Sequence, residues 1–333
     1  MTTTIKDTAL FGVVAVLLIG TGVLQGWNSA LLILNMGLIS AIMALGVNLQ
    51  WGFAGLFNIG VMGFVALGGL AAVLVSTEPV PEAWQAGGLR IMAGLVLGAL
   101  TVVAAVQAQK RLEGRTKTIA TLVILVGGFF LYRAVFDPGK VAVEAVNPAS
   151  TGNLGGLNLP ILLSWPVGGL LAAGAAWVIG KTALGLRSDY LAIATLGIAE
   201  IVIAVLKNED WLARGVKNVI GLDRPVPYEI DLQQDPGFVE RAASLGLDPV
   251  TASTLYLQIF FLGAAVCGVA GAMMTTLDGQ LTPGTYQPLR FTFLVWVMVI
   301  VGGSGNNFGA VLGGMLIWWL WVQVEPLGLG LMN

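Results

Sequence analysis

The residues that could do chemistry in this chain are few, and most of them are neutral amides. Asn48, Asn58, Asn306 and Asn307 lie in or beside clusters of glycine, and Glu200 stands alone in an aliphatic run. An amide side chain both donates and accepts hydrogen bonds, whereas a carboxylate only accepts them or pairs with a cation. These residue types suit the binding of a small polar solute better than the breaking of a covalent bond.

The composition excludes several kinds of catalytic site. The 333 residues include no histidine, and the single cysteine, Cys267, lies in an apolar run. Histidine acid–base chemistry, zinc sites of histidine and cysteine, and disulfides within the chain are therefore excluded. The remaining residues assemble no nucleophile with a neighbouring base and no phosphate-binding loop of Walker spacing, so we expect neither enzymatic activity nor a cofactor.

The same composition does not suit a water-soluble domain. Hydrophobic residues make up 56% of the chain and charged residues 10%, whereas soluble domains are about a quarter charged. Most of the chain is therefore expected to lie in a lipid bilayer. The net charge of −2 leaves no basic surface, so nucleic acid is not an expected partner.

Apolar stretches long enough to cross a hydrocarbon core of about 30 Å recur along the chain. They predict an all-α polytopic membrane protein with about ten hydrophobic segments, some of them discontinuous. The first segment lacks the cleavage site of a signal peptide, and we expect it to be a retained span. The segments are 9–26, 29–49, 53–76, 90–108, 118–136, 161–183, 188–206, 252–277, 290–303 and 308–324.

Basic residues collect in the loop 110–117 and in the turn 181–187, and the positive-inside rule places both in the cytoplasm. The segments 136–158 and 207–251 then lie outside. The second of these carries charges of both signs and four prolines, and we expect a folded loop with short helices, one at 238–245. A disordered linker is the alternative.

This charged loop divides the chain into three parts. N-terminal transmembrane helices are expected over 1–206, the extracytoplasmic loop over 207–251, and C-terminal transmembrane segments with a glycine-rich break over 252–333.

Two glycine-rich segments interrupt apolar sequence, QWGFAGLFNIG at 50–60 and GGSGNNFGAVLGG at 302–314. Backbone groups freed at a helix break survive in a membrane only against protein or water, and broken helices recur in solute pathways. The alternative is close helix packing, which small residues permit. Both roles stay open for the glycines of these breaks, which are Gly52, Gly55, Gly60, Gly302, Gly303 and Gly305.

We interpret the five polar residues as the candidate lining of a solute path. Polar side chains at membrane depth must pair or face a cavity, and four of the five adjoin the glycine breaks. Glu200 has a second interpretation, as a structural partner of a hydrogen-bond donor. The candidates are Asn48, Asn58, Glu200, Asn306 and Asn307.

Three stretches carry a family resemblance. The stretches 45–74, 185–200 and 260–314 cover about a third of the chain, and they resemble the inner-membrane permease of branched-chain amino-acid ABC importers, the LivM-like type. The resemblance implies a multi-pass protein of the bacterial inner membrane. It would transport leucine, isoleucine, valine or a related small amino-acid or amide solute.

The resemblance also implies partners: a homologous permease subunit, two cytoplasmic ATPases and a periplasmic solute-binding protein, for which 207–251 is the candidate docking surface. Two other transport mechanisms stay open. In an ion-coupled secondary transporter Glu200 would be the ion site, and in a passive urea or amide channel the broken helices would line a pore.

One departure from the family pattern affects coupling to ATP. The family has a further span and a cytoplasmic coupling loop before the block 260–314, and we expect both to be missing at 254–256, which would leave the chain uncoupled. The segment 240–246 imitates the coupling pattern, but its spacing is short and we set it aside. If that span is missing, counting the remaining spans from the basic cytoplasmic loops puts 278–290 in the cytoplasm. The resemblance implies the opposite side of the membrane.

Overall fold

A computed structural model describes residues 3–183, 187–222, 229–249 and 270–332. These residues are overwhelmingly helical, and their only strands are two pairs of residues. The prediction of an all-α membrane protein is confirmed.

The helices are α1 (Thr3–Gln25), α2 (Trp27–Val47), α3 (Val61–Ser76), α4 (Pro81–Ala83), α5 (Leu89–Arg111), α6 (Gly114–Glu144), α7 (Ser164–Ala183), α8 (Ser188–Asn208), α9 (Asp210–Ala213), α10 (Glu229–Gln234), α11 (Pro236–Ser244), α12 (Ala270–Asp278), α13 (Pro288–Gly302) and α14 (Asn307–Met332). Wide turns of π geometry cover Asn48–Phe53 and Trp84–Gly88, and 3-10 turns cover Ile161–Leu163, Gly215–Lys217 and Pro283–Thr285. The strands are β1 (Val219–Ile220) and β2 (Gln280–Leu281).

Seven stretches of the described chain are long and apolar enough to cross a membrane, and they are Thr8–Gln25, Trp27–Phe53, Pro81–Arg111, Gly114–Glu144, Ile161–Ile179, Asp189–Asn208 and Asn307–Val324. Two shorter apolar helices, Val61–Ser76 and Leu289–Gly302, coincide with two further predicted segments. The protein is therefore a multi-pass membrane protein. Most of the remaining predicted segment, 252–277, lies outside the described residues, which resume at Ala270.

The chain forms two compact units. The first comprises Met1–Thr77, Leu159–Val205 and Val219–Asn333, and the second comprises Glu78–Asn158 and Leu206–Asn218.

Small residues bring the helices of the first unit together. A Cβ on Gly168 of α7 would lie 3.1 Å from the Cα of Gly68 in α3, so these two backbones touch directly. A Cβ on Gly302 of α13 would likewise collide with the carbonyl oxygen of Gly309 in α14. Close backbone approach at small residues is how helices gain van der Waals contact where lipid supplies no hydrophobic drive.

The second unit is built on an antiparallel pair, α5 and α6. Gly94 of α5 packs against Phe136 of α6, since a Cβ on Gly94 would lie 2.8 Å from the Cβ of Phe136. Trp211 of α9 meets the same Phe136 edge to face, with ring centroids 5.6 Å apart. The aromatic contacts therefore fix α9 on the end of this hairpin.

The two short strands constrain the topology of the first unit. Val219 pairs with Leu281 and Ile220 with Gln280 in antiparallel register, and hydrogen-bonded strands must lie on the same side of the membrane. The charge-based prediction that put 278–290 opposite the 207–251 loop is therefore wrong for the paired residues. The charge-based prediction depends on the number of spans counted in the sequence, whereas the hydrogen bonds between β1 and β2 show directly that the two strands are neighbours.

The helix predicted at 238–245 is confirmed as α11. It begins after Asp235, whose side chain accepts a hydrogen bond from the N–H of Gly237 at 3.1 Å. Pro236 occupies the first turn, where its missing N–H costs nothing.

Candidate functional site

Each glycine-rich segment overlaps a connection between helices, 48–60 in the first and 303–306 in the second, and the two connections meet in the first unit. After α2 the wide turn Asn48–Phe53 ends the helix, and the chain is non-helical until α3 begins at Val61. The backbone of this connection bonds to itself, with the N–H of Leu56 donating to the Gln50 carbonyl at 2.7 Å. This hydrogen bond satisfies two backbone groups of the connection inside the protein, as membrane burial requires.

The second segment is a tight turn between α13 and α14. Gly303 and Gly305 have φ of 92° and 79°, a left-handed region that side chains with a Cβ rarely adopt. Asn306 caps α14, because its side-chain oxygen accepts from the N–H of Phe308 at 3.1 Å. The turn therefore requires glycine for its conformation.

Asn48 joins the two segments. Its Nδ2 donates to Oδ1 of Asn307 at 3.1 Å, and its Oδ1 accepts from the N–H of Gly305 at 2.8 Å. The Asn48 side chain is fully buried. A neutral amide can satisfy a donor and an acceptor at one place without placing a charge in a medium of low dielectric constant.

Gly52 makes this bridge possible. A Cβ at Gly52 would lie 2.5 Å from the backbone nitrogen of Gly305 and would collide with Oδ1 of Asn48. The glycine of the first break therefore acts through close packing, and that packing holds the polar bridge in place.

Asn58 organises the rest of the first segment. Its Nδ2 donates to Oε1 of Gln50 at 2.8 Å, and its Oδ1 accepts from the N–H of Gly60 at 2.7 Å. Its backbone carbonyl accepts from Nε1 of Trp296 in α13 at 3.2 Å. Both polar atoms of the Asn58 side chain and its backbone carbonyl therefore have hydrogen-bond partners.

Helix α8 holds the same segment from another direction. The N–H of Ile59 donates to Oγ1 of Thr195 at 3.1 Å. A Cβ on Gly60 would collide with the backbone carbonyl of Thr195. Gly60 is therefore, like Gly52, a point of close backbone approach.

Three residues of this site were absent from the candidate list. Trp296 lies against Trp51 and Phe57, with ring centroids 4.6 and 4.5 Å apart. Gln50 and Thr195 were detectable as polar residues in apolar sequence, but nothing in the run around Trp296 distinguishes it from other aromatic residues. Only packing shows that its indole reaches Asn58.

The structure does not place Glu200 with the asparagines. Glu200 is exposed on α8, one residue beyond Ala199, which packs against Gly63 of α3. In the part of the chain that the structure describes, the side chain of Glu200 makes no hydrogen bond or ion pair. Asn306 and Asn307 are also exposed, so of the five candidates only Asn48 and Asn58 are buried. No cluster of acidic or sulfur ligands that could hold a metal ion occurs among the described residues.

Comparison with known proteins identifies a family. The profile described as "Branched-chain amino acid transport system / permease component" matches residues 29–145 and 240–324. The second matched stretch begins in α11 and runs through 254–256. The missing span expected there falls outside the described residues and stays a prediction, as does the exclusion of 240–246 from the coupling contact.

Individual relatives agree with the profile. The chain is 25% identical over 208 residues to the high-affinity branched-chain amino acid transport system permease protein LivM of Escherichia coli (strain K12), covering 46% of this chain and 48% of that protein. It is 23% identical over 221 residues to the probable branched-chain amino acid transport permease protein LivM of Methanocaldococcus jannaschii, covering 56% of this chain and 61% of that protein.

The matched part spans about half the length of the first of these curated relatives, and no solved structure matches the chain. The family profile nevertheless covers more than half of the chain and includes both glycine-rich connections. The chain belongs to the family of permease components of branched-chain amino acid transport systems.

Proposed function

We propose that this chain is a transmembrane permease subunit of an ATP-binding-cassette importer. Its solutes are branched-chain amino acids or related small amino-acid and amide compounds. The observation that carries the proposal is the pair of glycine-rich connections bridged by the fully buried Asn48. Neutral hydrogen-bonding groups at the ends of membrane helices suit passage of a small zwitterion, because they add no fixed charge that would trap it.

The proposed path runs along Asn48, Asn58, Asn306 and Asn307. Asn48 and Asn307 share a hydrogen bond, and Asn306 caps the helix that Asn307 begins. Asn58 lies in the same connection between α2 and α3 that begins at Asn48. The exposure of Asn306 and Asn307 leaves these two amides accessible to a solute.

We include Glu200 in the proposed path, although it is exposed on α8 and lies apart from the asparagines. A carboxylate exposed on an apolar, membrane-length helix requires water or a donor opposite it. A homologous permease subunit packed on this face of α8 would supply that environment, and Glu200 would then line the path from its second side.

The remaining partners are two cytoplasmic ATPases and a periplasmic binding protein. We assign the docking of the binding protein to the loop 207–251, whose strand β1 is tied to β2 on the same side of the membrane. Deleting this loop should abolish the stimulation of ATPase activity by the binding protein. Stimulation that survives the deletion would remove the loop from the proposal.

The central test is reconstitution of the chain with its neighbouring permease, ATPases and binding protein in proteoliposomes. Uptake of labelled leucine, isoleucine and valine should require both ATP and the binding protein. Uptake driven by a proton or sodium gradient alone would identify a secondary transporter, and uptake that needs neither would identify a channel.

Residue roles can be tested in the same system. Asn58→Ala and Glu200→Ala should each lower uptake, while ATPase subunits stay bound. Gln25→Ala is the matched control, because Gln25 also makes an amide–amide hydrogen bond, to Gln323, away from the glycine connections. Unchanged uptake in either site variant would take that residue out of the path.

Coupling is tested by copurification. The chain as it stands is compared with a version that carries a coupling segment inserted between Ser253 and Leu257. If only the restored version retains the ATPases, the expected deletion prevents the chain from binding them. If both retain them, another surface makes the contact, and α11 within the matched stretch is the first to examine.

A further inference from the structure

A cavity of about 120 Å³ lies inside the first unit, among α2, α3, α12, α13 and α14. Five of its twelve lining residues are methionines, and they are Met36, Met43, Met62, Met274 and Met298. Methionine is unbranched, flexible and polarisable, so a methionine-lined wall adapts to apolar groups of different shape. The cavity is suited to an aliphatic group.

The size of the cavity fits a small apolar group. A dry, apolar cavity of roughly 150 Å³ in another protein binds benzene, and a branched side chain of three or four carbons is smaller than benzene. Leu294 and Val295 of α13 add further aliphatic surface to the lining. The space therefore accommodates the side chain of valine, isoleucine or leucine.

Two polar features make the lining asymmetric. Ser40 is fully buried, and its hydroxyl oxygen has no hydrogen-bond partner in the described chain. A buried hydroxyl left unpaired costs free energy in the protein itself. Asp278 is the one lining residue that is exposed, so it marks the mouth and brings negative charge there.

The cavity adjoins the glycine connections. Met62 is two residues beyond Gly60, and its N–H donates to Oγ1 of Thr292 in α13 at 3.4 Å. Val295 precedes Trp296, whose indole bonds to Asn58. A solute in the cavity would therefore contact the helices that carry the polar bridge.

Tyr286, the residue after the lining residue Thr285, is held by a buried hydrogen bond. It is buried and shares this hydrogen bond of 2.9 Å with Thr275. Burial raises the pKa of Tyr286 to about 12, so its hydroxyl stays neutral even in strongly alkaline solution.

We propose that this cavity binds the branched aliphatic side chain of the transported amino acid, with the ammonium group held at the mouth near Asp278. The proposal rests on the proposed function and names the site that selects its solute.

The first test narrows the cavity. Val295→Phe, at a residue 1% exposed, fills it, and Val297→Phe on the same helix, at a residue 42% exposed, is the matched control. In the reconstituted importer Val295→Phe should lower the ratio of leucine to valine uptake about tenfold, because one methylene in a pocket is worth about that much discrimination. The control should keep the wild-type ratio. Equal loss of both solutes with an unchanged ratio would overturn the proposal.

The second test needs no variant. Photo-leucine, a diazirine analogue of leucine, is cross-linked to the complete wild-type complex, and the labelled peptides are mapped. Labelling should fall on the methionines of the cavity and should be competed by leucine but not by glycine. Labelling confined to lipid-facing residues, or displaced equally by added lipid, would show an acyl-chain site and overturn the proposal.

The two proposals fail differently. If wild-type importer shows no ATP-dependent uptake of branched-chain amino acids, the proposed function fails. If uptake is normal while the cavity is neither labelled nor able to change selectivity, only the cavity assignment fails.

Discussion

The two units stabilise their polar groups in opposite ways. In the first unit the fully buried Asn48 bridges two helix connections through neutral amide and backbone groups. In the second unit Lys140 pairs with Glu209 at 2.9 Å, and both side chains remain about a quarter exposed, at 26% and 27%. The neutral Asn48 is thus buried completely, whereas the charged Lys140 and Glu209 keep contact with solvent.

The physical reason is the cost of desolvation. A buried ion loses several kcal/mol of hydration, which a partner repays only with excellent geometry, whereas a buried amide needs only its hydrogen bonds. The ion pair is further anchored by Trp211, whose Nε1 donates to Glu209 at 2.7 Å. The two helix connections of the first unit are therefore held by close packing and by amide hydrogen bonds. The end of the α5–α6 hairpin is held in part by an ion pair.

The largest effect is expected at Gly52. Gly52→Ala places a Cβ against the nitrogen of Gly305 and the side chain of Asn48, so the bridge must open, and overpacking costs about 1–3 kcal/mol or more. Thermal unfolding in detergent should show a large loss of stability. Gly46→Ala is the control, since nothing lies within 4 Å of its Cβ position. Equal stability of both variants would contradict the close packing.

A smaller loss is expected at Asn48. Asn48→Ala removes two hydrogen bonds and leaves the N–H of Gly305 without its partner, which costs about 1–3 kcal/mol. The same unfolding measurement, and uptake in the reconstituted importer, should both fall. Asn306→Ala removes only the cap of α14 and should lose about 1 kcal/mol at most, the usual cost of a lost N-cap. A stable Asn48→Ala variant would mean that the bridge does not hold the two connections together.

The smallest effect is expected in the second unit. Lys140→Met removes a partly exposed ion pair, and such pairs contribute about 0.2–1 kcal/mol. The loss should shrink as salt is raised, because screening weakens the wild-type pair, whereas the Asn48→Ala loss should not. If the stability lost in Lys140→Met did not change with salt, the second unit would not depend on charge as stated above.

Sequence predicted most of the helices. Nine of the ten expected hydrophobic segments correspond to apolar helices of the structure. The glycine-rich run at 50–60 lies between helices, whereas only 303–306 of the run at 302–314 does so, because α14 already begins at Asn307. Asn48, Asn58 and Asn307 were identified because polar residues in apolar sequence are rare. The partners Trp296 and Thr195 were not, because a contact across more than a hundred residues leaves no local pattern.

By itself, the sequence determined that this is a helical membrane protein of mostly neutral chemistry, because hydrophobic length and charge content are properties of each segment alone. Only the tertiary structure decided that the two glycine breaks meet at Asn48, that Glu200 lies on another face, and that β1 pairs with β2. Those outcomes depend on which helices pack together, and packing is fixed by backbone approach at glycines and by hydrogen bonds between distant residues.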